Sequence, residues 1–396
     1  MRGSIAHSAL ANSPVRCAIR FNSGRIMLFC CLAGFSILIA APALVLACGG
    51  TGGGDGTARA AIPVITPTAA RNGAQIVTLA DSTSGATIYY TLDGSAPSSS
   101  SNPYFAPFLI DSTVTVKAIA TASGDAASPV ASQSFSMNIP SGTLVWSDEF
   151  SNSTGANAEP NPQTWTYDTG AGGWGNQELE TYCAWSSSSS PCSASSPNAF
   201  IGTDGYLHIV AQQPSSGVYT SARLKTQGLF SFTYGRIEAR MQIPEGQGLW
   251  PAFWLLGNNI ATVNWPACGE QDIMEHIDAP SPDWVAGSIH GTSLNMTEQF
   301  PGSTGASFDA SAWHTYGMIW TKGSISYYVD SPSNTYATYS ASNLSSQPGA
   351  VWPFASGSGA FIILNLAVGG NWPGSPNTAT PFPSQMLVDY VRLYTN

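Results

Sequence analysis

The sequence predicts an all-β protein in which a small antiparallel β-sandwich module precedes a larger two-sheet β-jelly-roll sandwich. Three observations support this fold class. Residues 235–244 alternate between apolar and polar side chains, which is the two-residue period of a strand. Runs of β-branched and aromatic residues recur between Gly-, Pro- and Ser-rich turns. Beyond residue 142, no segment of ten or more residues has the apolar period of an amphipathic helix.

The first 59 residues resemble an export signal followed by a tether. Several arginines precede an apolar run over residues 26–47, and the letters VLAC at 45–48 resemble a bacterial lipobox. We therefore assign 1–47 to a lipoprotein-type export signal, Cys48 to lipid attachment and 48–59 to a Gly-rich tether. A plain signal peptide and a signal-anchor helix are the alternatives. Each predicts working domains outside the cytoplasm, either secreted or held at the cell surface or outer membrane.

The region 60–138 is the predicted small module, and 139–142 is a short linker to the larger domain at 143–396. Strand patterns in the module lie near 75–79, 87–92 and 113–120. Four aromatic residues of the module could stack on sugars: Tyr89, Tyr90, Tyr104 and Phe108. Because their spacing alternates, about half of them must instead enter a core. We interpret the module as a spacer rather than a sugar-binding unit. In the larger domain, strand patterns recur near 206–211, 316–321, 325–329, 361–368 and 386–394.

Composition and charge limit the partners. The chain has 13 basic and 23 acidic residues, a net charge of -10, and only 9% charged residues. Because phosphate-backbone binding needs clustered positive charge, nucleic acid is excluded as the expected partner. A neutral polysaccharide fits this charge better than an acidic one. We expect a monomer whose sole membrane attachment is the lipid at Cys48.

The cysteines beyond the export signal divide into two kinds. Cys183 and Cys192 flank a Ser-rich loop, which predicts a disulfide in an oxidising compartment. Cys268 is left over, and we expect it to pack as a small buried hydrophobe.

Three carboxylates lie within six residues of an otherwise apolar strand pattern: Glu270, Asp272 and Glu275. On a regular strand Glu275 would face away from the other two. A β-bulge near Ile273 or Met274 would return it to their face. Two carboxyls on one face are what a retaining glycosidase uses, one as nucleophile and one as acid and base. Such like charges are expensive to gather, so the pattern predicts an active site.

The segment resembles the catalytic strand of glycoside hydrolase family 16, in its laminarinase-like branch with the pattern Glu-x-Asp-x-x-Glu. Further matches are WSDEF at 146–150, GGWGN at 172–176, YGRIEAR at 234–240, WPAFW at 250–254, LNLAVGG at 364–370 and VDYVR at 388–392. The resemblance implies that Glu270 is the nucleophile, Asp272 its helper and Glu275 the acid/base. One departure is Gln271, which stands where the family usually has Ile, Leu or Val.

The same resemblance implies further site residues. Those expected to bind substrate are Trp250, Trp254, Asn176, Arg223, His290 and Trp372. It also implies a structural calcium ion near Glu149 and Asp389, while catalysis by a carboxylate pair needs no cofactor. In the small module, the letters YYTLDGSAP at 89–97 resemble the chitobiase-type C-terminal sandwich module.

These observations predict an endo-acting retaining hydrolase that cleaves β-1,3-glucan of the laminarin type by double displacement. The alternatives are a mixed-linkage β-1,3-1,4-glucanase, an agarase or carrageenase, or a transglycosylase on the same scaffold. A second alternative from another class is a non-catalytic glucan-binding protein. Retention of both glutamates favours the enzyme.

Overall fold

The computed structural model describes residues 58–279, 281–302 and 307–396, all of which belong to one compact unit, Gly56–Asn396. The predicted export signal, the predicted lipid-attachment residue Cys48 and most of the predicted tether lie outside the described residues. Within the described part of the chain, no helix has the length and apolar character needed to span a bilayer. The all-β prediction is confirmed: strands dominate, and the helical segments in the described residues are three to six residues long.

The small module contains seven strands in two antiparallel sheets. One sheet has the order β1-β2-β5 and the other β4-β3-β6-β7. Val77, Val116 and Ala118 form the fully buried centre of its core. The strands are β1 Val64–Ala69, β2 Gln75–Ala80, β3 Thr87–Thr91, β4 Asn102–Pro103, β5 Phe108–Ile110, β6 Val114–Thr121 and β7 Ala131–Phe135, with a 3-10 turn at Arg71–Gly73.

Three of the module's aromatic residues pack on one another rather than offering free faces. Tyr90 stacks on Phe108 with ring centroids 4.7 Å apart, and Tyr104 meets both rings edge-on. A sugar-stacking plate needs an exposed face, so these rings serve the module's core. Tyr89 is half-buried on the other face of β3.

The module is joined to the larger domain by backbone hydrogen bonds. The Leu109 N–H donates to the Ser231 carbonyl at 3.0 Å, and the Ser231 N–H donates to the Pro107 carbonyl at 2.9 Å. The side chain of Asn102 donates to the Gly357 carbonyl at 3.2 Å. Ile139, in the predicted linker, packs against the larger domain's core. The module is therefore seated on the jelly roll along several segments.

The larger domain is a sandwich of a ten-stranded and a seven-stranded sheet. The ten-stranded sheet has the order β10-β13-β12-β24-β15-β20-β21-β22, with β11 beside β12 and β8 beside β24, and the seven-stranded sheet has the order β19-β18-β17-β16-β23-β14-β9. The strands are β8 Leu144–Asp148, β9 Thr166–Asp168, β10 Glu180–Tyr182, β11 Ala199–Ile201, β12 Leu207–Ser215, β13 Val218–Ser221, β14 Arg223–Lys225, β15 Gly235–Gln242, β16 Leu249–Gly257, β17 Glu270–Glu275, β18 Val285–Gly291, β19 Leu294–Phe300, β20 His314–Trp320, β21 Ser324–Val329, β22 Thr335–Ser340, β23 Ala360–Val368 and β24 Ser384–Tyr394. Short helical turns lie at Ile260–Val263, Ala341–Ser346 and Pro353–Ala355.

The core between the two sheets follows the predicted alternation. On β15, Ile237, Ala239 and Met241 are fully buried, while Arg236 and Arg240 face outward. Two local predictions about cysteines also agree with the structure. Cys183 and Cys192 form a disulfide, and Cys268 is a buried free thiol in a small cluster with Leu256, Phe361 and Ile363.

Candidate active site

The acidic strand β17 contains the β-bulge expected from its spacing. On the β16 side, Trp254 pairs with Asp272 and Phe253 pairs with Met274, so Ile273 is the extra residue. On the β18 side the register shifts between Asp272 and Glu275 as well. Ile273 and Met274 both enter the core, where they are almost fully buried. The extra residue therefore restores Glu275 to the face of Glu270 and Asp272.

Gly269 sets the entry of the chain into β17. Its φ is +85°, a conformation that side-chain-bearing residues rarely adopt, and an added Cβ would lie 2.9 Å from Pro353 Cγ and 3.0 Å from Phe354 Cε1. Only glycine fits both constraints. The turn at Pro353–Ala355 thus packs directly against the start of the acidic strand.

All three acids line one cavity of about 620 Å³ on the outer face of the seven-stranded sheet. The strands β16 and β23 form its floor through alternate residues, because their other residues enter the core. Five tryptophans line the cavity: Trp174, Trp250, Trp254, Trp265 and Trp372. Flat apolar plates beside a few fixed polar groups are what a site for a sugar chain requires.

Each glutamate has its own set of hydrogen-bond donors. Glu270 Oε2 accepts from the Trp265 indole N–H at 3.1 Å, and Glu275 Oε1 accepts from the Trp250 indole N–H at 3.0 Å. His290 Nε2 lies 3.1 Å from Asp272 Oδ2 and 3.7 Å from Glu270 Oε1. The imidazole is therefore shared by Asp272 and Glu270.

The pKa values of the three acids rise together for a common reason. Burial and then the repulsion of Asp272 raise the pKa of Glu275 to about 8, so this carboxyl carries a proton at neutral pH. Burial raises the pKa of Asp272 well above its ordinary value. Burial and Asp272 also raise the pKa of Glu270, while His290 and Arg223 oppose that rise. Glu270 is thus the acid on which both His290 and Arg223 act, and their positive charge favours its ionised form. An ionised nucleophile beside a protonated acid is the arrangement that this chemistry needs.

The predicted substrate-binding residues all line the same cavity: Asn176, Arg223, Trp250, Trp254, His290 and Trp372. Trp250 meets Trp372 edge-on at 5.2 Å toward one end. Elsewhere along the cavity, the Arg223 guanidinium lies 4.6 Å from the Trp254 ring centroid and pairs with Asp168 at 3.0 Å. The structure brings these side chains together, and their contacts with substrate remain predictions.

Two of the cavity residues that the sequence analysis missed have side-chain contacts with predicted site residues. Asn365 accepts from the Trp254 indole N–H at 2.7 Å, and Glu178 accepts from Asn176 at 3.3 Å. For Asn365 a signal was available, since it is the one polar residue in the apolar run at 360–368. Glu178 had no such signal, because an acid in a Gly- and Asn-rich loop looks solvated.

Gln271, the departure from the family pattern, is buried, with 2% of its surface exposed. Its side-chain nitrogen has no hydrogen-bond partner among the described residues. An unpaired buried amide N–H lowers stability by about 1–3 kcal/mol. The residue that departs from the family pattern is therefore one that costs stability.

The two residues assigned to calcium are held by arginines. Both oxygens of Glu149 accept from Arg392, at 3.0 and 2.7 Å, and Asp389 pairs with Arg240 at 2.7 Å. As placed, these carboxylates are not free ligands, and the calcium site stays a prediction with no part in the chemistry below. Among the described residues, the groups with metal-compatible spacing are Glu270, Asp272 and His290, and Glu245, Asp283 and Asp309.

A bulged acidic strand in a tryptophan-lined cavity on a β-jelly roll defines a glycoside hydrolase. Comparison with known families agrees. Residues 186–392 match the family described as glycosyl hydrolases family 16, and residues 67–132 match the chitobiase/beta-hexosaminidase C-terminal domain. The chain belongs to glycosyl hydrolases family 16.

Individual relatives cover the larger domain. A beta-glucanase of Rhodothermus marinus is 40% identical over 263 residues, which are 64% of this chain and 86% of that protein. Glucan endo-1,3-beta-glucosidase A1 of Niallia circulans is 33% identical over 279 residues, 63% of this chain and 37% of that protein. The solved endo-beta-1,3-glucanase of Pyrococcus furiosus is 38% identical with a TM-score of 0.54, covering 64% of this chain and 94% of that one.

Proposed function

We propose that this protein is an endo-acting, retaining hydrolase of β-1,3-glucan. The observation that carries the proposal is the bulge at Ile273, which puts Glu270 and Glu275 on the same wall of the cavity. The names of the relatives support the substrate class, since they include an endo-beta-1,3-glucanase and a glucan endo-1,3-beta-glucosidase.

The first half of the reaction forms a glycosyl-enzyme. The Glu270 carboxylate attacks the anomeric carbon, and a carbon–oxygen ester bond forms as the glycosidic bond breaks. Glu275 gives its proton to the departing glycosidic oxygen, so the leaving sugar is a neutral alcohol. The raised pKa of Glu275, about 8, keeps that proton available at neutral pH.

The second half returns the enzyme to its starting state. Glu275, now a carboxylate, takes a proton from a water molecule whose oxygen attacks the anomeric carbon and releases Glu270. Two inversions give net retention. Asp272, between the glutamates and 3.1 Å from His290, accommodates the change in charge by sharing protons with its neighbours.

Two assays test the proposal. Reducing ends are measured on laminarin, barley glucan, agarose and carrageenan, and the anomer first released is followed by proton NMR. We expect activity on laminarin with internal cuts and β-anomer appearing first. Higher activity on barley glucan than on laminarin, or activity on agarose or carrageenan alone, would show that β-1,3-glucan is not the preferred substrate. Appearance of the α-anomer first would remove the double displacement.

We also propose that the protein works outside the cytoplasm as a lipoprotein. The Cys183–Cys192 disulfide supports an oxidising compartment, and the letters before Cys48 support lipid attachment. Labelled palmitate fed to expressing cells should enter the full chain and not its Cys48→Ala variant. Equal labelling of both chains would disprove the anchor.

A further inference from the structure

A second acidic pair lies beneath the cavity, outside the catalytic set. Glu180, on β10, is fully buried. Its Oε2 accepts from the Val368 backbone N–H at 2.7 Å, but its Oε1 has no hydrogen-bond partner among the described residues. The neighbouring side chain is another carboxyl, that of Glu178. A buried oxygen facing an acid is satisfied only when one of the two acids carries a proton.

The donors around the pair decide which acid holds that proton. Glu178 Oε2 accepts from the Tyr182 hydroxyl at 3.1 Å, and Glu178 Oε1 accepts from the Asn176 amide at 3.3 Å. Both oxygens of Glu178 are therefore acceptors, as in a carboxylate. Glu180 has one acceptor oxygen, toward Val368, and one oxygen free to be a hydroxyl donor.

We propose that Glu180 is a protonated positioning residue, whose Oε1 hydroxyl donates to the Glu178 carboxylate and so orients two side chains of the cavity. The positioning role rests on the proposed function, because orienting the cavity side chains matters only if the cavity binds a sugar chain. The hydrogen bonds around Glu180 do not depend on what the cavity binds.

The orientation reaches the cavity along a chain of hydrogen bonds with fixed direction. The Trp254 indole N–H donates to Asn365 Oδ1 at 2.7 Å, Asn365 Nδ2 donates to the Tyr182 hydroxyl at 3.2 Å, and Tyr182 donates to Glu178. Asn176 reaches Glu178 directly. Asn176 and Trp254 both line the cavity, so one carboxylate fixes both.

The surroundings keep this direction constant. Burial, then repulsion by Glu178, raise the pKa of Glu180 to about 8. Burial also keeps the pKa of Tyr182 well above its ordinary value, so its hydroxyl remains a donor. Of the described groups, those that face Glu180 are Glu178 from the preceding loop and Tyr182 from β10 itself, with Arg223 of β14 beyond Tyr182 and paired with Asp168. The strands β13 and β23 contact it through uncharged residues.

The sign of the pH effect follows from the proton count. The folded state holds the Glu180 proton up to about pH 8, whereas an unfolded glutamic acid releases it near pH 4.3. The stability that this proton provides is therefore complete below the unfolded pKa and is lost as pH rises toward and through 8. Glu180→Gln carries a permanent N–H donor, so the stability of that variant should not fall in this way as pH rises.

The test compares thermal melting of the full chain and Glu180→Gln from pH 5 to pH 9, with the exposed Glu159→Gln as matched control. At each pH we take the melting temperature of Glu180→Gln minus that of the wild type. We expect this difference to increase by about 4 °C or more from pH 5 to pH 9. The control should follow the wild type. A difference that stays constant across this range would overturn the proton assignment, whether or not the protein cleaves glucan.

A second measurement tests the positioning role. Glu180→Leu removes the donor and should raise KM for laminarin oligosaccharides about tenfold with a smaller change in kcat, while Glu180→Gln should restore much of that loss. Equal KM values for the Leu and Gln variants would show that Glu180 does not orient the cavity. If the Leu variant fails to fold, the melting comparison of Glu180→Gln still decides the proton assignment.

Discussion

The outward acids of the ten-stranded sheet and the three acids of β17 in the seven-stranded sheet have opposite electrostatic surroundings. On the ten-stranded sheet each outward acid has an arginine: Glu149 with Arg392, Asp389 with Arg240 and Glu238 with Arg236. On the seven-stranded sheet, Glu270 and Asp272 share the His290 imidazole, Glu275 accepts from the Trp250 indole N–H, and the nearby Arg223 is paired with Asp168. Asp168, at the β9 edge of the seven-stranded sheet, is likewise neutralised by Arg223 and Lys225, so the acids of β17 are the ones without an arginine or lysine of their own.

The pKa directions show the result. A hydrogen bond from Arg392 holds the pKa of Glu149 below its ordinary value, whereas burial and Asp272 raise that of Glu275 to about 8. An arginine makes an acid an inert part of a surface network. An acid cluster without one keeps protons that can be given and taken at neutral pH, which is what general acid catalysis needs.

The largest expected effect comes from removing the proton donor among the acids of β17. Glu275→Gln should lower kcat/KM on laminarin about 10³-fold or more, because the leaving oxygen then departs unprotonated. An aryl glucoside with a strongly acidic phenol needs no such proton, so its first step should be nearly unaffected. Burst kinetics on the two substrates measure the contrast. An equal loss on both would mean that Glu275 is not the acid.

Removing the central acid of β17 should move the pH profile of activity. The kcat/KM of the wild type should fall as pH rises through about 8, where Glu275 loses its proton. In Asp272→Asn the repulsion is gone, and this alkaline limb should move about one unit lower. Initial rates from pH 5 to pH 10 measure the limb. A limb that stays in place would contradict the coupling between Asp272 and Glu275.

An intermediate effect is expected on the buried side of the catalytic strand, at Gln271. Gln271→Leu removes the unpaired amide and should stabilise the protein by about 1–2 kcal/mol, seen as a melting temperature higher by about 3 °C or more. Laminarin kinetics on the same variant show whether the catalytic strand itself has moved. A lower melting temperature would indicate that the Gln271 amide makes a stabilising hydrogen bond.

The smallest effect belongs to the outward acids of the ten-stranded sheet. Arg240→Gln breaks the pair with Asp389 and the contact with the Trp313 ring. Because the pair is about one third exposed, the loss should be under about 1 kcal/mol with kcat/KM unchanged. Urea unfolding and laminarin kinetics check both parts. A large fall in activity would break the contrast between these acids and those of β17.

Local pattern was enough to predict much of this structure. Alternation over 235–244 indicated β15, and the odd spacing of Glu275 indicated the bulge, because each is a period-two rule acting within one strand. The pairing of Glu149 with Arg392 was out of reach, since 243 residues separate them. The same holds for the chain from Trp254 through Asn365 to Tyr182, whose links join distant strands.

The most direct test of the central claim is to trap the glycosyl-enzyme. The full chain is incubated with a 2-deoxy-2-fluoro β-1,3-glucobiosyl fluoride, which slows the second step, and the labelled peptide is sequenced by mass spectrometry. The bulge at Ile273 predicts one sugar ester, on Glu270, with Glu275 unlabelled. A label on Glu275, or steady turnover of the reagent with no protein adduct, would contradict the assignment of the two glutamates.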